Sequence, residues 1–200
     1  MHPLFYFIKQ LLKLGNDGFS LVLFGTKVSN SKKSIKLFLL LFLLTGCSVK
    51  NPTPKENFQN IQSLTQMLLR TSKHIDRNEA EDLAKSSVHY AQKLSKKYKV
   101  VSPPLWQNTL VNIGLKKRGL CYEWANDLWV YLKAKEYKSL ELHYIGADVG
   151  SYFEHNALSV SAKGKSVQES IVLDAWRNSG KLYFIEIDKD EKYVWKKRYD

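Results

Sequence analysis

The chain has 200 residues, with 31 Lys and Arg against 19 Asp and Glu, which gives a formal net charge of +12. The basic residues are dispersed along the sequence instead of being gathered in one patch, so nucleic acid is not an expected partner. A moderate basic excess favours an anionic membrane surface or an anionic envelope polymer as the neighbour of the protein.

An apolar segment near the N-terminus carries the first signal of location. Residues 37–44 are all apolar, follow three lysines within 32–36 and lead into Leu44-Thr45-Gly46-Cys47. A positive, an apolar and a small-residue region in this order are typical of a secretory signal peptide. Residues 44–47 also resemble the bacterial lipobox, which implies a lipid on the Cys47 thiol and cleavage just before it.

The position of this segment predicts how the N-terminal part is divided. The apolar run is far shorter than the roughly 20 residues that a membrane-spanning helix needs. It also ends later than the first 30 or so residues where signal peptides usually sit. We therefore expect residues 1–27 to be upstream sequence of a misplaced start, and residues 28–46 to be the signal peptide. The alternative is that residues 1–46 form two short membrane-seeking segments.

The mature chain is expected to be a lipid-anchored protein of the bacterial cell envelope that faces the periplasm. Residues 47–57 are polar and contain two prolines, which predicts a short lipidated tether. Residues 58–200 are then long enough for one domain with a single core. Ser48, directly after the lipidated position, favours the outer membrane over the inner one.

Helical periodicity dominates the first half of this domain. Apolar residues at three- and four-residue spacing predict a helix over 58–70. A second helix is predicted over 78–98, with Asn78 as its N-cap and Glu81 in the capping-box position. A third, short helix is predicted over 105–115.

The second half begins with a helix that Cys121 opens and continues with strands. Apolar residues at helical spacing after Cys121 predict about four turns. Four β-rich runs follow, at 140–145, 155–160, 170–174 and 181–185. Helices followed by consecutive strands predict an α+β fold, with N-terminal helices, a Cys-bearing helix and an antiparallel β-sheet.

Three residues at the ends of predicted elements have the chemistry of a catalytic triad. Cys121 opens a helix, where the dipole and unpaired N–H groups stabilise a thiolate. His155 opens a strand and can exchange the thiol proton, while Asp174 closes a strand and can orient the imidazole. Once Cys47 carries a lipid, Cys121 has no intrachain partner, and a leftover cysteine in an oxidising compartment is either buried and inert or reactive.

Other residues near these positions are expected to complete the site. The Cys121 N–H is one expected oxyanion donor, and Gln107 and Asn112 are candidates for the second, with Asn108 and the Trp106 indole also chemically able. The residues expected to flank the site are Trp124, Asn156, Trp176 and Arg177. Trp176 would shield the triad from water, and Arg177 would form a surface ion pair or hold a substrate carboxylate.

The three motifs around these residues resemble the transglutaminase-like superfamily of cysteine enzymes. They read Gly119-Leu120-Cys121-Tyr122-Glu123-Trp124-Ala125, Glu154-His155-Asn156-Ala157-Leu158-Ser159-Val160 and Ile171-Val172-Leu173-Asp174-Ala175-Trp176. The resemblance covers about residues 105–187 and implies Cys121 as nucleophile, His155 as base and Asp174 as orienting residue. It implies no particular acyl group, because the superfamily holds peptidases, amidases, transglutaminases and inactive members.

Each assignment has an alternative. Cys121 could be a small buried core residue, His143 could replace His155, and Asn156 or Asp148 could replace Asp174. The whole scaffold could also be a non-catalytic module that binds a peptide or a partner protein.

No cofactor is expected, and no His or Cys pair has the spacing of zinc ligands. The expected substrate is a protein or a peptidoglycan stem peptide, chosen from location alone.

Overall fold

The computed structural model describes residues 47–49 and 51–199. The expectations of an upstream segment at 1–27 and of a signal peptide at 28–46 lie outside the described residues. The backbone of Cys47 and Ser48 forms a short strand, β1 (Cys47–Ser48), which pairs antiparallel with β2 (Val101–Ser102).

Four helices lie in the described part of the chain. They are α1 (Pro54–Thr71), α2 (Arg77–Tyr98), α3 (Pro104–Asn112) and α4 (Cys121–Lys133). All four stand close to the predicted positions, because each shows apolar residues at helical spacing and is bounded by proline, glycine or a capping side chain. Across the described residues, none of the helices is both long enough and apolar enough to cross a bilayer.

The start of α1 corrects the predicted domain boundary. Helix α1 begins at Pro54, before Phe58, because Thr53 caps it: the Thr53 hydroxyl accepts from the Glu56 N–H at 3.2 Å, and the Glu56 carboxylate accepts from the Thr53 N–H at 2.8 Å. Pro54 occupies the first turn, where its missing N–H costs nothing. Residues 54–57, the last part of the predicted tether, therefore lie in the first turn of α1.

The N-cap of α2 is also two residues earlier than predicted. Asp76, not Asn78, precedes the helix, and its carboxylate accepts from the Glu79 N–H at 3.0 Å. Glu79 in turn accepts from the backbone of Lys138 and Ser139 at 2.8 and 2.7 Å, which ties the start of α2 to the segment before the sheet. The sequence pattern alone allowed either acid or amide to cap the helix.

The sheet is antiparallel and has five strands in the order β6-β5-β4-β3-β7. The strands are β3 (Leu140–Ala147), β4 (His155–Ala162), β5 (Ile171–Asp174), β6 (Tyr183–Glu186) and β7 (Lys196–Tyr199). The α+β prediction is confirmed. Strand β7 was not predicted, because Lys196-Lys197-Arg198 has no apolar alternation, and it is added to the edge of the sheet by backbone pairing with β3.

The core lies between the helices and the central strands. Every residue of β4 is buried, and α4 packs against this strand through a cluster that includes Trp124, Leu128, Leu158 and Leu173. This packing brings Cys121, the first residue of α4, close to the start of β4, which begins at His155.

Gly180 fixes the loop after β5 against α2, and its replacement is a test of the fold. Gly180 has φ +101°, and an added Cβ would lie 2.4 Å from the Ser95 Cβ and 3.2 Å from the Ala91 carbonyl oxygen. We expect Gly180→Ala to lower the free energy of unfolding by about 3 kcal/mol, from backbone strain and overpacking together. The matched control is Gly164→Ala, which has φ +77° and open space around it and should cost only about 1 kcal/mol. Urea unfolding measures both, and equal losses would contradict the close contact.

Candidate active site

The sheet brings two of the three predicted triad residues together at one end of its strands. Leu158 of β4 pairs with Leu173 of β5, so the start of β4 and the end of β5 lie at the same end of the antiparallel pair. His155 Nε2 lies 2.7 Å from Asp174 Oδ2, and both side chains are buried, with 3% and 1% of their surface exposed. Asp174 is therefore the residue that contacts the imidazole.

The Asp174 carboxylate is held by four polar contacts. Its Oδ1 accepts from the N–H groups of Trp176 and Arg177, both at 3.0 Å. Its Oδ2 faces His155 and also accepts from Arg177 Nε at 3.1 Å. Burial alone would raise the pKa of Asp174, but the hydrogen bond and charge of His155, with the contacts to Arg177, lower it. The carboxylate is thus fixed in place and ionised.

The Cys121 thiol completes the arrangement. Its Sγ donates to the carbonyl oxygen of Glu154, the residue before His155, at 3.6 Å, which places the thiol close enough to the imidazole to raise its pKa. Since Nε2 faces Asp174, the nitrogen left for the thiol is Nδ1. Burial would lower the pKa of His155, but the hydrogen bonds to Asp174 and Cys121 raise it to about 9. Only 9% of the surface of Cys121 is exposed to solvent.

The first turn of α4 leaves two backbone donors at the thiol. The Glu123 carboxylate accepts from the N–H groups of Gly119 and Leu120 at 2.6 and 3.0 Å. The N–H groups of Glu123 and Trp124 donate to the Leu120 carbonyl oxygen at 3.0 and 3.3 Å. The N–H groups of Cys121 and Tyr122 have no acceptor within the helix, because they precede its first complete turn. They are the donors that this helix offers to an oxyanion.

The structure places Gln107 and Asn112, two of the side-chain oxyanion candidates, away from that role. Gln107 is buried, its Oε1 accepts from the Val101 N–H at 3.0 Å and its Nε2 donates to the Arg118 carbonyl at 2.7 Å. Gln107 also packs against Gly119, whose φ of +134° and lack of a Cβ permit this close approach. Gln107 therefore positions the segment that leads into α4. Asn112 is exposed at the last residue of α3, and the described residues show no hydrogen bond from it to the triad.

The two predicted flanking tryptophans have different positions. The Trp176 ring lies 4.7 Å from the His155 ring between centroids, and its indole N–H donates to Asn108 Oδ1 at 3.0 Å. Trp176 thus covers the imidazole, as expected. Trp124 points into the core, where its indole N–H donates to the Gly119 carbonyl at 3.0 Å, so it supports the turn before Cys121.

Two predicted alternatives do not reach the thiol or the imidazole. Asn156 is buried beside His155 in sequence, but its side chain donates to Glu154 Oε1 at 3.1 Å and accepts from Arg198 Nη1 at 3.0 Å. His143 lies inside β3 with its Nε2 2.8 Å from Ser161 Oγ. Successive residues of a strand point to opposite faces, which explains why Asn156 is turned away from the triad.

Arg177 differs most from its prediction. The sequence predicted a surface ion pair, whereas the Arg177 side chain is only 9% exposed and lies between Asp174 and Asp190. Its guanidinium donates to both Asp190 oxygens, at 3.1 and 2.6 Å. A substrate carboxylate would have to displace one of these buried partners, so the role of a substrate clamp is not supported.

Sequence reasoning missed the contribution of the C-terminal segment to the site. The rings of Tyr193 and Trp195 lie 4.6 and 5.4 Å from the His155 ring, and Asp190 is buried behind Arg177. In the sequence, Tyr193 and Trp195 are aromatic residues of the kind that usually pack in a core, which does not indicate that they lie beside His155. Asp190 had no signal, because a single acid in a Lys- and Asp-rich stretch gives no indication of burial.

The described residues contain no group of three or more His, Cys, Asp or Glu side chains that could hold a metal ion. The site consists of a thiol beside an imidazole that contacts a carboxylate, under an aromatic cover and near two backbone N–H groups at the start of α4. No model of a known protein family, no curated protein and no solved structure matches the chain.

Proposed function

We propose that the protein is a transglutaminase-like thiol hydrolase or acyltransferase that attacks amide or ester carbonyls through Cys121. The observation that carries the proposal is the placement of Cys121 beside the His155–Asp174 pair, with the imidazole 2.7 Å from a buried carboxylate and the thiol 3.6 Å from the carbonyl oxygen of the residue before His155. Burying the Asp174 carboxylate costs free energy even with four polar contacts, and the need to orient a base would account for this cost.

The arrangement supports a two-step acyl transfer. The Cys121 proton moves to His155 Nδ1, and the thiolate attacks the carbonyl carbon to form a C–S bond. The tetrahedral oxyanion accepts hydrogen bonds from the N–H groups of Cys121 and Tyr122 at the start of α4. The imidazolium returns its proton to the departing amine or alcohol, which leaves a thioester. Water or an amine then attacks the thioester and gives its proton to His155. The C–S bond breaks, and the imidazolium returns this proton to the Cys121 sulfur.

The cellular setting of this chemistry is proposed from the N-terminal segment. A lipid on Cys47 would hold the domain at the membrane, facing the periplasm and favouring the outer membrane, where proteins and peptidoglycan stem peptides are the available amides. The non-catalytic binding module remains the second candidate, and one observation favours it. Only 9% of Cys121 and 3% of His155 are exposed, which leaves little surface for a substrate carbonyl.

Thiol labelling distinguishes the two candidates. At pH 6 an ordinary cysteine, with a pKa of about 8.5, is almost entirely thiol and reacts slowly. We expect iodoacetamide to modify Cys121 of the folded full chain at pH 6 roughly 100-fold faster than the same residue in urea, because only the thiolate reacts. Peptide mass spectrometry assigns the label to Cys121, and Cys121→Ala should abolish it while circular dichroism stays unchanged. Equal or slower labelling of the folded chain would overturn the enzyme proposal.

A further inference from the structure

A second buried carboxylate lies behind the triad. Arg177 connects it to Asp174: the Nε atom donates to Asp174 Oδ2 at 3.1 Å, and the two terminal nitrogens donate to Asp190 at 3.1 and 2.6 Å. The side chains of Asp174 and Asp190 are each 1% exposed and that of Arg177 is 9% exposed. A bidentate contact of this kind fixes both partners in direction as well as in distance.

The network is held from all sides. Trp195 Nε1 and the Lys192 N–H donate to the Asp190 carboxylate at 2.8 and 3.2 Å. The Arg177 guanidinium carbon lies 4.0 Å from the centroid of the Tyr183 ring and 4.8 Å from that of Tyr193. Stacked between aromatic rings and fixed by two carboxylates, the guanidinium has one position, and through Nε it gives Asp174 one position too.

The charges of this network favour one protonation state of the imidazole. Two carboxylates and one guanidinium leave a net charge of −1, which a proton on His155 would balance. The other elements around the ring contribute few charges that would oppose a proton on His155. The titratable groups around His155 are Cys121 from α4, Asp174 from β5 and Tyr193 from the C-terminal segment. Arg177 contacts Asp174, Asp190 contacts Arg177, and the carboxylate of the neighbouring Glu154 is bound by Arg198.

We propose that Asp190 is a positioning residue for the triad, which acts through Arg177 to hold the Asp174 carboxylate and to keep His155 in its charged form. Asp190 touches none of the reacting atoms itself. This inference rests on the proposed function, because a charged imidazole is useful where it stabilises a thiolate. It also explains why the C-terminal segment is tied to the site: Tyr193 and Trp195, which cover the His155 ring, follow Asp190 by three and five residues in the chain.

The direct test is the titration of the His155 ring in Asp190→Asn. The full chain, solubilised in mild detergent, is titrated by NMR of the histidine ring carbons, and His155→Gln identifies the signal. In the wild type we expect a midpoint near pH 9. Loss of the Asp190 charge should lower this midpoint by about one pH unit, because an opposite charge no longer favours the imidazolium. Asp190→Glu, which keeps the charge, should return the midpoint to that of the wild type.

A charge control separates this effect from a general change in charge or stability. Asp127→Asn removes another partly buried carboxylate, which pairs with Arg118 and Lys97 at the far side of α4, and should leave the midpoint unchanged. An unchanged His155 midpoint in folded Asp190→Asn would overturn the proposal. The titration needs no turnover, so this outcome is distinct from a failure of Cys121 to react, which would instead overturn the proposed function.

A second variant keeps the test decisive if Asp190→Asn does not fold. Arg177→Met combined with Asp190→Asn removes the buried pair as a unit and leaves no unpaired charge. We expect this folded double variant to hydrolyse p-nitrophenyl acetate at least about 10-fold more slowly than the wild type, because Asp174 is no longer held in line. Turnover equal to that of the wild type would overturn the positioning role.

Discussion

Replacing His155 with glutamine is expected to lower the turnover of p-nitrophenyl acetate by at least about 100-fold, the usual range for loss of a positioned general base. Glutamine can fill much of the space of the imidazole and hydrogen-bond to Asp174, but it cannot take the Cys121 proton. Release of p-nitrophenolate is measured at pH 7 with the full chain, and circular dichroism checks that the variant folds.

His143→Gln is the matched control for this prediction. His143 is as deeply buried as His155, at 2% exposure, but it lies within β3 beside Ser161. Its replacement should therefore change stability without removing turnover. If His143→Gln abolished turnover and His155→Gln preserved it, the assignment of the base would be reversed. If neither variant changed the rate, ester cleavage would not depend on a histidine, and the triad mechanism would be wrong.

Replacing Arg177 with methionine is expected to destabilise the fold by about 3–5 kcal/mol at pH 7, as measured by urea unfolding. Because methionine fills a similar volume, the loss of stability measures the effect of removing the charge. Without the guanidinium, Asp174 and Asp190 would be two buried carboxylates that share no cation. Arg118→Met is the control, because Arg118 also bridges two acids but its side chain is 37% exposed. It should cost about 1 kcal/mol or less.

The pH dependence of the Arg177→Met effect has a definite sign. In the wild type the pKa values of Asp174 and Asp190 are lowered: burial would raise them, but the contacts to His155 and Arg177 outweigh it. These carboxylates therefore contribute stability above about pH 4, the ordinary value for Asp, and this contribution is lost as the pH falls. In the variant, one buried carboxyl should instead prefer its protonated form. The destabilisation should thus be larger at pH 7 than at pH 4, and an equal loss at both would contradict the charge explanation.

Much of the local structure of this chain could be predicted from the sequence. The helix that Cys121 opens follows from Gly119, which ends the preceding segment, and from apolar residues at helical spacing afterwards. The strands that carry His155 and Asp174 follow from short β-rich runs, and the order of helices and strands is enough for the α+β class. The triad candidates followed from their chemistry at the ends of these elements.

The errors fall where the deciding contact is with a distant segment. Strand β7 exists because β3 offers it a backbone partner, which no pattern in Lys196-Lys197-Arg198 indicates. The Gln107 side chain hydrogen-bonds to the backbone of Val101 and Arg118 and is not available to an oxyanion. Its position is set by packing against Gly119. Arg177 beside Asp174 suggested a surface pair, because the burial of both depends on Asp190 and on the aromatic residues after it.

The sequence by itself determined the four helices, four of the five strands of the sheet and the reactive groups at their ends, because apolar periodicity, capping residues and side-chain chemistry are local properties. Only the tertiary structure decided which groups meet. Asp174 and not Asn156 contacts the imidazole, since strand pairing joins residues 19 apart in the chain, while the alternation of side chains along β4 turns the adjacent residue away. The position of Asp190 was likewise decided by packing, because a buried charge is stable only where the fold supplies its counter-ion.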